Sequence, residues 1–158
     1  MSWLVLNARD AEWIDCVLGK YCGFETKEDR FEQLGINLNV LQPGEPMTMY
    51  HRENAQEDFL VLEGECLLIV EGEERPLRRW DLFHCPPGVA HAIVGAGDGP
   101  SLVLAVGARR GEDEGLVYPV DPVAQKHGAG VAVETTSPKE AYAGITFDRG
   151  PYQEGWLP

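Results

Sequence analysis

The sequence predicts an all-β fold, a sandwich or barrel of short strands in a single domain. Glycine and proline are abundant, with 18 and 11 among 158 residues, as expected for a chain with many turns. Between residues 34 and 108, short apolar runs alternate with turn signals at regular intervals. A chain of this length can bury its own core. We therefore expect one domain over 1–158, with a barrel core at about 34–108 and a C-terminal extension at about 109–158.

Residues 8–18, ARDAEWIDCVL, are predicted to form a short helix before the barrel. Asn7 can cap its first turn, and Asp10 places a negative charge near the positive end of the helix dipole. Gly19 would end it. The sequence thus predicts one short N-terminal helix.

The barrel is predicted to begin with a strand at 34–41, where apolar and polar side chains alternate as in a half-buried strand. Glu63-Gly64-Glu65 separates two apolar runs and predicts a hairpin. Turns are expected at 42–46, 71–74, 86–88 and 95–100. The remaining strands are expected at 58–62, 66–70, 81–85, 90–94 and 101–108.

A second short helix is predicted over 138–143 in the extension. Ser137 can cap it, Pro138 suits the first helical position, and Glu140 completes a capping box. The irregular segment that follows contains Tyr152 and Trp156, which we expect to hold it against the barrel or a second subunit.

The charge of the chain argues against several classes of partner. With 26 acidic and 13 basic residues the net charge is −13, which disfavours binding to nucleic acid or to an anionic membrane. No apolar run approaches the roughly 20 residues that span a bilayer. The N-terminus does not resemble a signal peptide, so a cytoplasmic location is expected. The four cysteines form no CxxC pair and are expected to be buried thiols, with Cys85 nearest the candidate site.

The stretch YHRENAQEDFLVLEG, residues 50–64, places three metal-binding residue types ahead of an apolar run. His51 and Glu53 are two residues apart and share a strand face, and Glu57 begins the next strand. Imidazole and carboxylate together suit a divalent transition metal. The stretch is therefore either a polar sheet edge or half of a metal site, completed by His84, His91 or His127.

The spacing of these residues resembles the two motifs of the cupins. The first cupin motif has a glycine, a His-x-His pair, a glutamate and a glycine, matched here by Gly44, His51, Glu53, Glu57 and Gly64. The second cupin motif has a glycine, five residues, Pro-x-Gly, two residues, a histidine, three residues and an asparagine, and WDLFHCPPGVAH, residues 80–91, fits its spacing up to the histidine. The resemblance covers about 34–108 and implies a double-stranded β-helix, the jelly-roll or cupin barrel, with short N- and C-terminal helices.

The sequence departs from the cupin motifs at four points. Glu53 stands where the second histidine of the pair is expected, Trp80 where motif two opens with glycine, and Gly95 where it ends with asparagine. The spacing from Gly44 to His51 is also one residue longer. The change at Glu53 matters most, because it alters the set of ligands that the resemblance implies.

The resemblance implies a metal site formed by His51, Glu57 and His91, with Glu53 at a fourth position. Two neutral imidazoles and two carboxylates would leave a divalent ion without net charge, which favours iron, manganese or zinc, with nickel as a further candidate. If Glu53 turns away, a two-histidine, one-carboxylate set remains. The alternative is that these are ordinary hydrogen-bonded or solvated side chains.

Four further residues are candidates for the lining of a ligand pocket: Met47, Met49, Phe59 and His84. Met47 and Met49 share a strand face with His51, and Phe59 shares one with Glu57. The alternative for the methionines and the phenylalanine is ordinary core packing.

Three functions are compatible with these residues. The first is a metal-dependent enzyme that acts on a small molecule by oxygenase, isomerase or hydrolase chemistry. The second is a small-ligand-binding or sensing protein without turnover, and the third is a metal-free enzyme that uses acid–base catalysis. Apolar residues on both faces of the strands at 58–62 and 66–70, namely Leu60, Leu62, Leu68 and Val70, also predict a homodimer.

Overall fold

The computed structural model describes residues 3–26, 30–109 and 115–158. The described residues form two antiparallel sheets packed face to face, so the all-β prediction is confirmed. One sheet has seven strands in the order β10-β1-β2-β3-β9-β4-β7, and the other has three in the order β6-β5-β8. The strands are β1 Glu12–Cys16, β2 Gly19–Gly23, β3 Leu34–Leu41, β4 Glu57–Glu63, β5 Glu65–Val70, β6 Glu73–Arg78, β7 Leu82–Cys85, β8 His91–Ala96, β9 Ser101–Ala108 and β10 Asp148–Pro151.

The main core lies between the two sheets. Phe59, Val61 and Val103 of the larger sheet pack against Leu68 and Ile93 of the smaller one, and all five are buried. Side chains alternate between the two faces of a strand, so Glu57 shares the inner face of β4 with Phe59 and Val61. Glu57, the first residue of β4, therefore places a carboxylate at the edge of the apolar core.

The predicted helix over 8–18 is wrong, because most of this segment is a strand. Only Ala8–Asp10 form a short 3-10 helix, and Asn7 caps it by accepting a hydrogen bond from the Arg9 amide. β1 follows, and it pairs with β2 on one side and β10 on the other. These pairings bury Trp13 completely, and non-local pairing of this kind overrides local helix propensity.

The predicted hairpin around Gly64 is also wrong, because the chain crosses between the sheets there. β4 pairs with β7 and β9, whereas β5 pairs with β6 and β8. Gly64 has φ +75°, and a Cβ at this position would lie 2.6 Å from the Pro100 carbonyl oxygen. Only glycine fits this corner without strain.

Four elements lie where no strand or helix was predicted, and two of them are β2 and β10, the strands that pair with β1. β6 occupies part of the expected turn at 71–74 and continues to Arg78, and a helix α1 spans Pro122–Lys126. The sequence of β6, EERPLR, is polar and contains Pro76, which an edge strand tolerates. The second helix, α2, spans Pro138–Ala141, and Ser137 takes the N-cap position without a side-chain cap hydrogen bond.

The C-terminal extension packs along residues 46–52, the segment that carries His51. On one side this segment pairs with β8 through the His51–His91 bridge. On its other side the Arg52–Val117 bridge and a 2.7 Å hydrogen bond from the Tyr50 amide to the Ala129 carbonyl attach it to the extension. The segment is thus held between the smaller sheet and the extension.

The C-terminal tail packs on β1, as predicted for its two aromatic residues. The rings of Tyr152 and Trp156 lie 5.9 and 5.4 Å from the ring of Trp13. None of the helices in the described part of the chain is long and apolar enough to cross a membrane.

Candidate metal centre

Three side chains converge at the end of the core, where the two sheets meet. His51 comes from the 46–52 segment, Glu57 from the first residue of β4, and His91 from the first residue of β8. One potential ligand atom of each lies within 4.8 Å of the others. His51 and His91 are direct partners across a bridge, with backbone N–H···O distances of 3.1 and 2.9 Å in the two directions.

Backbone carbonyls fix the orientation of both imidazole rings. His51 Nδ1 lies 2.8 Å from the Met49 carbonyl oxygen, and His91 Nδ1 lies 3.2 Å from the Val89 carbonyl oxygen. Since a carbonyl can only accept, each Nδ1 carries a proton and each Nε2 faces the centre. This is the arrangement of a histidine that binds a metal through Nε2, with the other ring nitrogen hydrogen-bonded to the backbone.

The Glu57 carboxylate lies between the two rings without forming a close hydrogen bond. Its Oε2 is 3.7 Å from His51 Nε2 and 3.3 Å from His91 Nε2. Among the residues that the structure describes, neither Glu57 Oε2 nor His91 Nε2 has a hydrogen-bond partner, and both atoms are buried. A buried polar atom without a partner is costly. Two such atoms aimed at one point fit a bound cation.

The three groups have shifted pKa values. Burial would lower the pKa of His51, but the facing Glu57 carboxylate and the Met49 carbonyl outweigh it and raise the pKa. Burial would raise the pKa of Glu57, but the two imidazoles hold it below its ordinary value. Burial, followed by the charge of His51, lowers the pKa of His91 to about 4. The metal-free centre therefore favours a charged His51 opposite an ionised Glu57, with His91 neutral.

Aromatic side chains surround the centre, which is largely buried. The Phe59 and Phe83 rings lie 5.2 and 5.6 Å from the His91 ring, and the Tyr118 ring lies 5.9 Å from the His51 ring. The side chains of His51 and His91 are 10% and 1% exposed. Removal from water strengthens every electrostatic interaction at this site.

The candidate lining residues occupy different places. Phe59 contacts the His91 ring and also belongs to the core between the sheets. Met47 is buried in the same core, and Met49 packs with Tyr118 under the extension. The structure therefore places these three near the two histidines, mainly in packing contacts.

The placement of His84 in the pocket is wrong. β7 pairs with β4 in a register that sets Cys85 opposite Glu57 and His84 opposite Asp58. Alternation then directs His84 to the outer face, where its Nδ1 lies 2.7 Å from Asp58 Oδ1 and its side chain is 55% exposed. Cys85 faces inward instead, and its Sγ lies 3.3 Å from His91 Nδ1.

The Cys85 thiol stays protonated in this position. Burial, reinforced by the charge of Glu57, raises its pKa to about 12. A thiol is a weak ligand compared with a thiolate, so Cys85 is a neighbour of His91 and not a member of the group of three.

Glu53 lies close to the centre but outside the group of three. Its side chain is half-buried, and its negative charge contributes to the raised pKa of His51. Its backbone carbonyl accepts a 2.7 Å hydrogen bond from the Gly88 amide, which connects the segment before β4 to the loop before β8. Coordination by Glu53 stays a prediction.

Two tyrosines of the extension reach the site and were not among the sequence-based candidates. Tyr118 contacts the His51 ring, and the Tyr142 hydroxyl oxygen accepts a 3.2 Å hydrogen bond from the Met49 amide. Tyr142 directly follows α2, and the helix predicted over 138–143 includes it. Nothing in the spacing of the sequence indicated that this helix packs beside His51.

A cupin domain model matches residues 37–107. The chain contains a cupin domain. The matched residues include all three members of the group, His51, Glu57 and His91. The tyrosines at 118 and 142 lie outside the match.

Solved structures give the same fold. An RmlC-like cupin from Shewanella frigidimarina has 21% identity and a TM-score of 0.59, over 71% of this chain and 96% of that one. A polyketide cyclase from Streptomyces resistomycificus has 16% identity and a TM-score of 0.52, over 62% and 76% of the two chains. The cupin double-stranded β-helix predicted for this chain is therefore confirmed.

A proposed sugar phosphate isomerase from Acidithiobacillus ferrooxidans has 25% identity and a TM-score of 0.52. The match covers 59% of this chain and 62% of the length of that protein. No curated protein matches the sequence. The comparisons therefore show a cupin domain over residues 37–107 and the fold of that domain.

Two departures from the cupin motifs have local structural reasons. Trp80 replaces a glycine but keeps a left-handed backbone, with φ +75°. Its amide donates to the Val61 carbonyl at 2.8 Å, and the Arg79 guanidinium lies 4.7 Å from the centre of its ring. At Gly95 a Cβ would collide with the Gln42 carbonyl oxygen, so asparagine could not be accommodated there.

Proposed function

We propose that this cupin is a metal-dependent enzyme that acts on a small molecule. A single divalent transition metal, iron, manganese or zinc with nickel as a further candidate, would be held by His51 Nε2, His91 Nε2 and the Glu57 carboxylate. The observation that carries the proposal is a pair of buried atoms, Glu57 Oε2 and His91 Nε2, which have no hydrogen-bond partner among the described residues and face the same point.

The residues present fit such an ion. Two imidazoles with their Nδ1 protons held by carbonyls, together with one carboxylate, form a two-histidine, one-carboxylate set that suits these metals and leaves positions for water or substrate. When bound, the ion would supply Lewis-acid polarisation or activation of water or dioxygen. Glu53, half-buried beside the centre, is the side chain that could complete the ligand set or accept a proton from the substrate.

The residues around the centre favour a substrate with apolar or aromatic groups. Phe59, Phe83 and Tyr118 provide apolar and aromatic surface beside the two histidines. We expect the reaction to be of the oxygenase, isomerase or hydrolase type.

Metal-free acid–base catalysis is a second candidate, favoured by one observation. The raised pKa of His51 and the lowered pKa of Glu57 make an ion pair that could exchange a proton with a substrate. This function leaves the His91 Nε2 without a role, which is why the metal-dependent function is preferred.

The test is elemental analysis of the untagged protein beside a His51→Ala/His91→Ala double variant. A His84→Ala variant, which removes an exposed imidazole, is the matched control. We expect about one equivalent of metal in the wild type and in the control, and none in the double variant. Any turnover found by substrate screening should then disappear with a chelator and return with the metal. Equal metal content in all three proteins, or none after reconstitution, would contradict the proposal.

The homodimer also stays a prediction. Leu68 is buried between the sheets, and Val70 packs against the same core, so these two residues do not support a second interface. Leu60 lies on the outer face of β4, paired with Leu104 and with Leu82, which is 63% exposed. Sedimentation equilibrium should give twice the mass of one chain, and a mass near one chain would contradict the prediction.

A further inference from the structure

The C-terminal extension is connected to His51 by hydrogen bonds that lie outside the matched cupin residues. The Tyr142 hydroxyl oxygen accepts from the Met49 amide at 3.2 Å. The Met49 carbonyl in turn holds His51 Nδ1 at 2.8 Å. Residue 142 is thus two hydrogen bonds from the ring that would bind the metal, although it is 91 positions away in the chain.

Both peptide groups that flank Met49 are held by the extension. The amide of Met49 donates to Tyr142, and the next amide, that of Tyr50, donates to the Ala129 carbonyl at 2.7 Å. The second of these peptide groups is the one whose carbonyl holds His51 Nδ1. Its orientation, and with it the orientation of the ring, is therefore set by residues that follow the barrel.

We propose that Tyr142 is a positioning residue of the metal centre, and that its hydroxyl holds the Met49 backbone so that His51 keeps its Nε2 directed at the ion. The inference rests on the metal site proposed above. The proposal concerns the hydroxyl of Tyr142 alone, because a phenylalanine ring would fill the same space.

The ring of Tyr142 is itself held in place. It packs edge to face against the ring of Tyr118, with the two centroids 5.9 Å apart. Tyr118 also lies against the His51 ring, so the tyrosine pair restrains the ring both directly and through Met49.

The test compares Tyr142→Phe with Tyr152→Phe. Both substitutions remove one tyrosine hydroxyl that accepts a backbone amide, but Tyr152 accepts from Leu157 and packs on Trp13, in the cluster of β1 and the tail. Two quantities are measured: the dissociation constant of the metal, by competition with a chromogenic chelator, and the tautomer of His51 in the metal-free protein, from the nitrogen resonances of its ring at alkaline pH.

We expect Tyr142→Phe to weaken metal binding by about tenfold, the lower end of the range for groups that orient a ligand, and to reduce the Nδ1–H tautomer of His51. Tyr152→Phe should leave both quantities unchanged. Wild-type affinity and tautomer in a folded Tyr142→Phe variant would overturn the inference. If that variant does not fold, a wild-type His51 protonated at Nε2 would overturn it as well.

The outcomes for the inference and for the proposed function are separable. Absence of metal binding in the wild type would reject the proposed metal-dependent function, while the tautomer comparison would still decide whether Tyr142 positions His51. Metal binding in the wild type with no effect of Tyr142→Phe would reject the inference alone.

Discussion

Two histidine–carboxylate groups begin one residue apart on β4 and face opposite sides of the same sheet. Asp58 and His84 form a 2.7 Å hydrogen-bonded pair on the outer face, where the imidazole is 55% exposed. Glu57 faces His51 and His91 on the inner face at 3.7 and 3.3 Å, with His91 almost fully buried. Both groups consist of imidazole and carboxylate side chains, but the outer pair is exposed to solvent and the inner group is largely buried.

The comparison shows that burial and unmet hydrogen bonds, more than residue type, mark the candidate metal site. The outer pair needs no further partner, because Asp58 also accepts a hydrogen bond from Gln56 and the His84 side chain is 55% exposed to solvent. In the inner group two buried atoms have no partner among the described residues. A cation would satisfy the inner group, and the outer pair needs none.

The largest predicted difference is in metal affinity. Glu57→Gln removes the only carboxylate of the inner group, and we expect metal affinity to fall by at least about 100-fold, beyond the effect of losing a supporting group. Asp58→Asn is the matched change on the outer face and should leave the affinity within about twofold. Isothermal titration of both variants checks this, and equal losses in the two would remove the distinction between the faces.

The second prediction concerns the free energy of unfolding. A metal that binds only the folded protein stabilises it by about 2.7 kcal/mol at a concentration 100 times the dissociation constant. Denaturant unfolding of the wild type and of Asp58→Asn should show this gain, and Glu57→Gln should lose it. A gain of the same size in Glu57→Gln would place the metal elsewhere.

The third prediction is a pH dependence with opposite signs for metal binding and stability. His51 must lose its proton to bind a metal, and its raised pKa lies above 6.5. Affinity should therefore rise about tenfold per pH unit below that pKa and level off above it. A raised histidine pKa stabilises the metal-free protein fully below pH 6.5, and this contribution is lost as pH rises through the folded pKa.

Titrations of the metal-free and metal-bound protein between pH 5.5 and 8.5 measure both trends. His51→Ala removes the group responsible and should abolish the loss of stability above pH 6.5. A metal affinity that is independent of pH over the whole range would contradict the placement of His51 in the site.

The fourth prediction concerns Trp80, at the outer edge of the sheet beside β7. A non-glycine residue in the left-handed region costs about 1 kcal/mol or slightly more. We expect Trp80→Gly to be more stable than Trp80→Ala by about that amount, because both lose the contact with Arg79 and only glycine relieves the backbone. Thermal unfolding of the two variants measures the difference, and neither should change metal affinity.

The smallest effect is expected for the outer Asp58–His84 pair. His84→Ala should lower the free energy of unfolding by about 0.5 kcal/mol at neutral pH, as for other exposed pairs. The hydrogen bonds from Gln56 and His84 lower the pKa of Asp58, so its contribution is present above pH 3.8 and is lost as pH falls through the lowered pKa. A loss of several kcal/mol would show that the outer pair is structural.

The barrel and the three converging residues could be predicted from the sequence, because alternation and motif spacing are local. The strands at 34–41 and 101–108 have the predicted bounds for this reason. His84 was assigned to the wrong face, because the run DLFHC is mostly apolar and carries no clear alternation. The register with β4, a non-local pairing, decides which of His84 and Cys85 points inward.

The N-terminal strand and the contact of the extension with the site could not be predicted for the same reason, because both depend on non-local pairing. The local sequence of β1 favours a helix, and the segment forms a strand because β2 and β10 pair with it. Tyr142 follows His51 by 91 residues in the sequence. It reaches the site through its hydrogen bond with the Met49 amide, which no local pattern encodes. Tertiary pairing, which spacing within a segment cannot reveal, determines both.

The most direct test of the metal site is an anomalous-scattering map from crystals grown with manganese or zinc. The account predicts one strong peak at roughly 2.0–2.2 Å from His51 Nε2, His91 Nε2 and a Glu57 oxygen, and no peak at the Asp58–His84 pair. A peak at the outer pair, or none between the three inner residues at a saturating metal concentration, would contradict it.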